Sequence, residues 1–120
     1  ETGQRDSLPK GVEVFRITGP FFFGVAGELL DTLRRVGQPP KVIILRMRLV
    51  PMLDASGVSG VAEFISQARK SGAKIIFSGV QAKPKAMLAR GRISDTTPNI
   101  YFADNYSAAI IKARLIIDSA

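Results

Sequence analysis

The chain has 120 residues, 46% of them apolar, which is enough for one hydrophobic core and so for one domain. Its 17 basic and 10 acidic residues give a formal net charge of +7, which indicates either an anionic partner or a charged, solvated surface. Cysteine and histidine are both absent, which excludes disulfides, thiolate metal sites and Ser/His/Asp or Cys/His catalysis, so the composition predicts no enzyme and no cofactor.

The first third of the chain predicts a strand, an extended segment and a helix. Residues 11–17 alternate apolar and polar side chains, as a half-buried strand does, and the run stops at Gly19. The three phenylalanines at 21–23 continue the chain in an extended form. Apolar residues in 26–36 recur at helical spacing before Gly37 ends the helix.

The remaining two thirds continue the alternation of strands and helices. The predicted elements are a strand over 41–49, a helix over 58–71 that ends at Gly72, a strand over 74–78, a short helix over 85–90, an edge strand at 101–102 and a last helix capped by Asp104 or Asn105. Strands separated by helices predict an α/β domain with a mostly parallel sheet. We expect this domain to cover residues 11–120, after a polar tail over 1–10.

The turn between the predicted strand 41–49 and the following helix is the strongest candidate for a functional site. It contains an acid, Asp54, a hydroxyl, Ser56, and a small residue, Gly57. Asp and Ser are good N-cap residues, and the first-turn amides and the helix dipole favour negative charge at the same place. The turn is therefore either a well-capped helix start or a phosphate site.

The same turn resembles that of a known family. Asp54-Ala55-Ser56-Gly57 after a hydrophobic strand resembles the D-x-S/T-G turn of the STAS domain, which is shared by anti-sigma-factor antagonists and the cytoplasmic tails of sulfate permease (SulP) anion transporters. Residues 19–24 are similar to the Gly-Pro-hydrophobic-Phe-Phe segment of the transporter-type domains, and residues 44–54 and 76–81 are similar to their central strands. The similarity spans about residues 12–118 and favours the transporter branch.

The resemblance implies a fold, a location and partners. It implies an α/β STAS-like fold in which a central mixed, mostly parallel sheet of about four to five strands carries about four helices, largely on one side. It implies a non-enzymatic regulatory domain at the cytoplasmic face of the inner membrane, attached to a carrier of sulfate, bicarbonate or a dicarboxylate. Its partners would be the transmembrane domain of the same polypeptide and a second copy through the parent transporter. The missing initiator Met fits a soluble fragment excised from that larger protein.

Two other functions remain open from the sequence. In the anti-sigma-factor antagonists the hydroxyl residue before the glycine is phosphorylated, which maps onto Ser56, so the chain is alternatively a stand-alone antagonist switched by a kinase. It is alternatively a small anion- or nucleotide-binding module, although no glycine-rich phosphate loop accompanies the basic residues.

Basic residues form the second candidate site. Arg46 and Arg48 are predicted to face the same way on their strand, and four more cations fall within ten residues: Lys83, Lys85, Arg90 and Arg92. They are either a solvated surface or contacts for an acidic cytosolic protein, anionic lipid headgroups or, more weakly, a nucleotide at the carboxyl ends of the strands. Nucleic acid is not predicted, because no aromatic residues are interleaved with these cations.

The phenylalanines at 21–23 form the third candidate. Successive side chains of an extended segment point to opposite faces, so burying all three rings requires apolar neighbours on both faces. Core packing is the ordinary explanation. An exposed ring would instead mark a contact with the membrane domain or with a second copy.

Overall fold

Four strands and three helices are defined in a computed structural model that describes residues 8–18, 27, 30–31, 33–34 and 39–119. In chain order they are β1 (Val12–Thr18), β2 (Val42–Leu49), α1 (Ala55–Ser71), β3 (Lys74–Ser78), α2 (Ala82–Arg90), β4 (Ile100–Ala103) and α3 (Tyr106–Ser119). The predicted α/β class is confirmed. The predicted helix over 26–36 is only partly described: Gly27, Leu30, Asp31 and Leu33 are helical, and Leu33 is buried in the core.

The described strands form one sheet in the order β1-β2-β3-β4, and every neighbouring pair is parallel. Parallel strands need a crossover between them, and crossovers are almost always right-handed. Because this strand order never reverses, successive right-handed crossovers lie on the same face of the sheet. The helices α1 and α2 accordingly pack on one face, which confirms the prediction of helices largely on one side.

The core has two layers because the central strands are buried on both faces. Residues 42–45 of β2 are fully buried. One face contributes Ile43, Leu45, Met47, Ile75 and Phe77 to a core with α1 and α2, and the other contributes Val42, Ile44 and Ile76 to a smaller core with α3. Ala109 and Ala113 of α3 are fully buried there, so this last helix covers the face that the crossovers leave open.

Element ends differ from the predicted ones by a few residues at most. The helix α1 begins at Ala55 rather than residue 58 and ends where predicted, at Gly72, whose left-handed φ of 81° suits glycine. The helix α2 begins at Ala82 rather than residue 85, so that Pro84 lies in its first turn. Proline is accepted there because first-turn amides have no helical acceptor. The phenylalanines at 21–23 lie outside the described residues.

Candidate functional site

The turn after β2 places Asp54 as the N-cap of α1. Asp54 has extended backbone angles, and its Oδ1 accepts a hydrogen bond of 2.8 Å from the Gly57 amide. Its carbonyl oxygen accepts the Val58 amide at 3.0 Å, which is the first hydrogen bond of the helix. A capping side chain of this kind typically contributes about 1 kcal/mol to stability. Asp54 therefore has a definite structural task, as its residue type predicts.

Three of the four motif residues lie on the surface. Asp54, Ala55 and Ser56 are exposed, whereas Gly57 is buried. A Cβ added at Gly57 would lie 3.1 Å from Leu53 Cδ2, so glycine lets the first turn of the helix lie against this core residue. Ser56 occupies the second helical position, where the free amides and the helix dipole favour negative charge. Its phosphorylation stays a prediction.

The end of α2 packs against this turn. Gly91 faces the first turn of α1 so closely that an added Cβ would lie 2.6 Å from Val58 Cγ1. Arg90 and Arg92 flank Gly91 in sequence and are both exposed. The end of α2, which carries two of the predicted basic residues, therefore lies close to the first turn of α1.

The other predicted basic residues lie elsewhere. Arg46 and Arg48 do face the same way, since both line a pocket of about 190 Å³ beside the start of α3. The Arg46 guanidinium lies 4.0 Å from the ring centroid of Tyr106, and Asp104 lines the same pocket, so its charge is mixed. Lys83 and Lys85 are exposed on α2, with Lys85 Nζ 5.3 Å from a ring centroid on β4. None of the four basic residues between 83 and 92 is among the described residues that line the pocket of Arg46 and Arg48, although Gln81 before α2 donates a 2.9 Å hydrogen bond to the Arg48 carbonyl.

The strand order also bears on the predicted nucleotide site. Open parallel sheets bind ligands in the crevice where the strand order reverses, at the carboxyl ends of the strands. The four described strands run in sequence order without such a reversal. The described sheet therefore lacks the crevice that supports nucleotide binding in doubly wound folds, and within the described residues no group of three acidic side chains gathers to hold a metal ion.

Exposed apolar residues beside the turn were missed by the sequence analysis. Leu49 is 46% exposed and Met52 is 55% exposed. The alternating pattern placed Leu49 on the same side as Met47, which is fully buried. Leu49 is the last residue of β2, and it pairs with Thr18 beyond a shift in the register between β1 and β2. The turn is therefore bordered by apolar as well as charged side chains.

Comparison with known proteins identifies the family. The family model for the STAS domain matches residues 8–105, and the chain belongs to the STAS domain family. A crystal structure of a sulfate transporter family protein from Wolinella succinogenes is 37% identical, with a TM-score of 0.81 over 96% of this chain and 94% of that chain. The SulP transporter STAS domain from Vibrio cholerae is 26% identical, with a TM-score of 0.83 over 99% of this chain and 93% of that chain.

One curated relative is much longer than this chain. The "Putative sulfate transporter YvdB" of Bacillus subtilis (strain 168) is 27% identical over 96 residues, which are 79% of this chain. The match covers only 18% of that protein. Within the described residues of our chain, no helix is both long enough and apolar enough to cross a bilayer.

Proposed function

We propose that this chain is the cytoplasmic C-terminal domain of a SulP-type secondary anion transporter and that the turn at residues 54–57 regulates transport. The parent carries sulfate, bicarbonate or a dicarboxylate, and its transmembrane domain is the principal partner. Similarity to the Vibrio cholerae SulP STAS domain over 99% of this chain supports the assignment. A relative more than five times as long as the matched segment supports a membrane domain elsewhere in the polypeptide, because the match covers 18% of it.

The observation that carries the regulatory role is the exposure of Asp54, Ala55 and Ser56 at a rigid helix start. Two residues that precede the turn anchor this surface: Val50 is fully buried, and Leu53 belongs to the main core. A partner bound at the turn therefore acts on α1 and β2 together rather than on a loose loop. Exposed Met52 and the arginines at the end of α2 give the surface apolar and charged contacts.

Regulation requires that the partner binds the turn with different affinity in two states of the transporter. A ligand shifts an equilibrium only by its difference in affinity for the two states, and measured couplings between sites typically correspond to changes of about 5- to 150-fold. The domain itself carries no ion and performs no reaction in this mechanism. The domain instead changes the relative populations of the two states of the transmembrane domain.

We expect Ser56→Asp in the full-length parent to lower the initial rate of anion uptake at least about fivefold, the lower end of typical couplings. The substitution places a second carboxylate beside Asp54, on a surface that otherwise presents a neutral hydroxyl. Uptake is measured in vesicles with sulfate, bicarbonate or a dicarboxylate, whichever the unmodified parent transports fastest.

Ser59→Asp is the matched control, since Ser59 is exposed on the same helix but lies beyond its first turn. The control adds the same charge to α1 and should leave uptake near that of the parent. Thermal unfolding of the 120-residue chain shows that both variants fold. Equal uptake by Ser56→Asp, Ser59→Asp and the unmodified parent would contradict a regulatory turn.

The exposed Ser56 hydroxyl also favours a second function, that of a stand-alone anti-sigma-factor antagonist. In that case a kinase partner cycles Ser56 between free and phosphorylated forms. The gene that encodes the chain distinguishes the transporter domain from the stand-alone antagonist. Membrane spans encoded immediately upstream support the transporter, and a complete short frame supports the antagonist.

A further inference from the structure

A groove ringed by lysines lies at the opposite end of the sheet from the turn. The turn follows the carboxyl end of β2, whereas Lys41 immediately precedes β2 and Lys74 is the first residue of β3. Because β2 and β3 are parallel, their amino-terminal ends lie side by side at the same end of the sheet. A groove of about 690 Å³ lies between this end of the sheet and the last turns of α3.

The groove combines an apolar floor with a basic rim. Its lining consists of Lys41, Gly72, Lys74, Tyr101, Lys112, Leu115, Ile116, Ile117 and Ser119, which we call the lysine groove. A second hollow of about 780 Å³ shares Lys41, Gly72 and Ile117 with it. The second hollow adds one more lysine, Lys10, and one acid, Glu13. The basic residues therefore outnumber the acidic ones around the two hollows together.

Two large apolar residues of α3 are exposed, Ile111 and Leu115, and of the two only Leu115 lines the groove. Leu115 is 63% exposed on α3, although Ala113 in the same helix is fully buried. Lys112 Nζ lies 6.0 Å from the ring centroid of Tyr101, so that a positive charge is held above the apolar floor. A large apolar side chain beside a cation fits a ligand with both an apolar and an anionic part.

We propose that the lysine groove binds a single anionic phospholipid. The phosphate lies among the ammonium groups of Lys41, Lys74 and Lys112, and an acyl chain lies along residues 115–117 and Tyr101. Lysine suits this arrangement because its long apolar stem packs on the floor while its charged end follows the headgroup. Basic pockets near a membrane attract anionic headgroups in this way.

The size of the groove favours a lipid over an acidic protein helix. Sites for small molecules typically enclose about 300–1,000 Å³, and the groove of about 690 Å³ falls within this range. A docked helix requires a longer apolar surface with anchors over two turns. The lysine groove lies at the opposite end of the sheet from residues 54–57, and its lipid rests on the proposed membrane location but not on a regulatory role of the turn.

Flotation with lipid vesicles tests the lysines. We expect the 120-residue chain to bind vesicles that contain phosphatidylglycerol and not vesicles of phosphatidylcholine alone. Lys74→Gln with Lys112→Gln should weaken this binding about tenfold or more, because each lysine near an anionic surface contributes to attraction. Lys83→Gln with Lys85→Gln is the matched comparison, since these two lysines are candidate headgroup contacts from the sequence but do not line the groove. It removes the same charge from exposed residues outside the groove and should change binding less than about twofold.

Two exposed residues of α3 test the apolar floor. Leu115 lines the groove, whereas Ile111, which is 62% exposed, does not. We expect Leu115→Ser to weaken vesicle binding about tenfold, from the loss of a buried leucine contact, and Ile111→Ser to leave it unchanged. Circular dichroism shows that the variants fold.

Several results would overturn the lipid assignment. They are an absence of binding to any vesicle, equal losses for the two lysine pairs, equal losses for the two α3 variants, or full competition by inorganic phosphate. Binding of an acidic amphipathic peptide in the groove, with no vesicle binding, would also overturn it in favour of a protein partner.

Discussion

Replacing Phe77 with alanine should destabilise the domain by about 3–5 kcal/mol, the usual range for a buried phenylalanine. Phe77 is the last residue but one of β3 and is fully buried, and its ring stacks on that of Phe102 with centroids 5.2 Å apart. Since domains of this size are stable by only about 5–15 kcal/mol, the loss removes a large part of the total. Urea denaturation followed by circular dichroism measures the change.

Phe77→Leu is the control for this substitution. Leucine keeps most of the apolar volume, so we expect a loss of less than about 1.5 kcal/mol. If Phe77→Ala costs no more than Phe77→Leu, the face that packs against α1 and α2 is not the main core. The description of the sheet as a two-layered core would then be wrong.

Gly91→Ala should destabilise the domain by about 1–3 kcal/mol, the range for overpacking. The φ of −87° at Gly91 is acceptable to any residue, so backbone strain is not the cause. The cause is steric, because the new Cβ would lie 2.6 Å from Val58 Cγ1. Valine is branched at Cβ and stiff about χ1, so Val58 cannot easily move aside. Urea denaturation measures the loss.

A second substitution separates this contact from other effects. In the Val58→Ala background the obstructing methyl is gone, and Gly91→Ala should then cost at least about 1 kcal/mol less than it does in the unmodified chain. Strict additivity of the two substitutions would contradict the contact. The end of α2 would then not pack against the first turn of α1. The evidence that Arg90 and Arg92 lie near the turn would be lost with it.

Much of the fold can be predicted from the sequence because its signals are local and agree with each other. The predicted strand over 74–78 has the same first and last residues as β3, since Gly72 ends one helix and Gly79 turns the chain. The N-cap at Asp54 follows in the same way from residue types around one helix start. The parallel direction of the strands follows from the alternation of strands and helices along the chain.

Other features depend on contacts that no local pattern contains. The exposure of Leu49 depends on which neighbours cover the end of β2, and the sequence of β2 alone does not reveal them. The lysine groove brings Lys41, Lys74 and Lys112 together from three elements that are far apart in sequence, so only the assembled fold reveals it.

Hydrogen exchange in the full-length parent tests most directly whether the turn is coupled to transport. If the turn is coupled to transport, the coupling is reciprocal. Saturating the parent with its transported anion should then change amide exchange at the turn. We expect exchange of the Gly57 amide, which is bound to Asp54 Oδ1, to change at least about fivefold. The Ala108 amide is the control, because Asn105 Oδ1 caps α3 with the same 2.8 Å bond, and its exchange should not change. Identical Gly57 exchange with and without the anion, or equal changes at both caps, would contradict a regulatory turn.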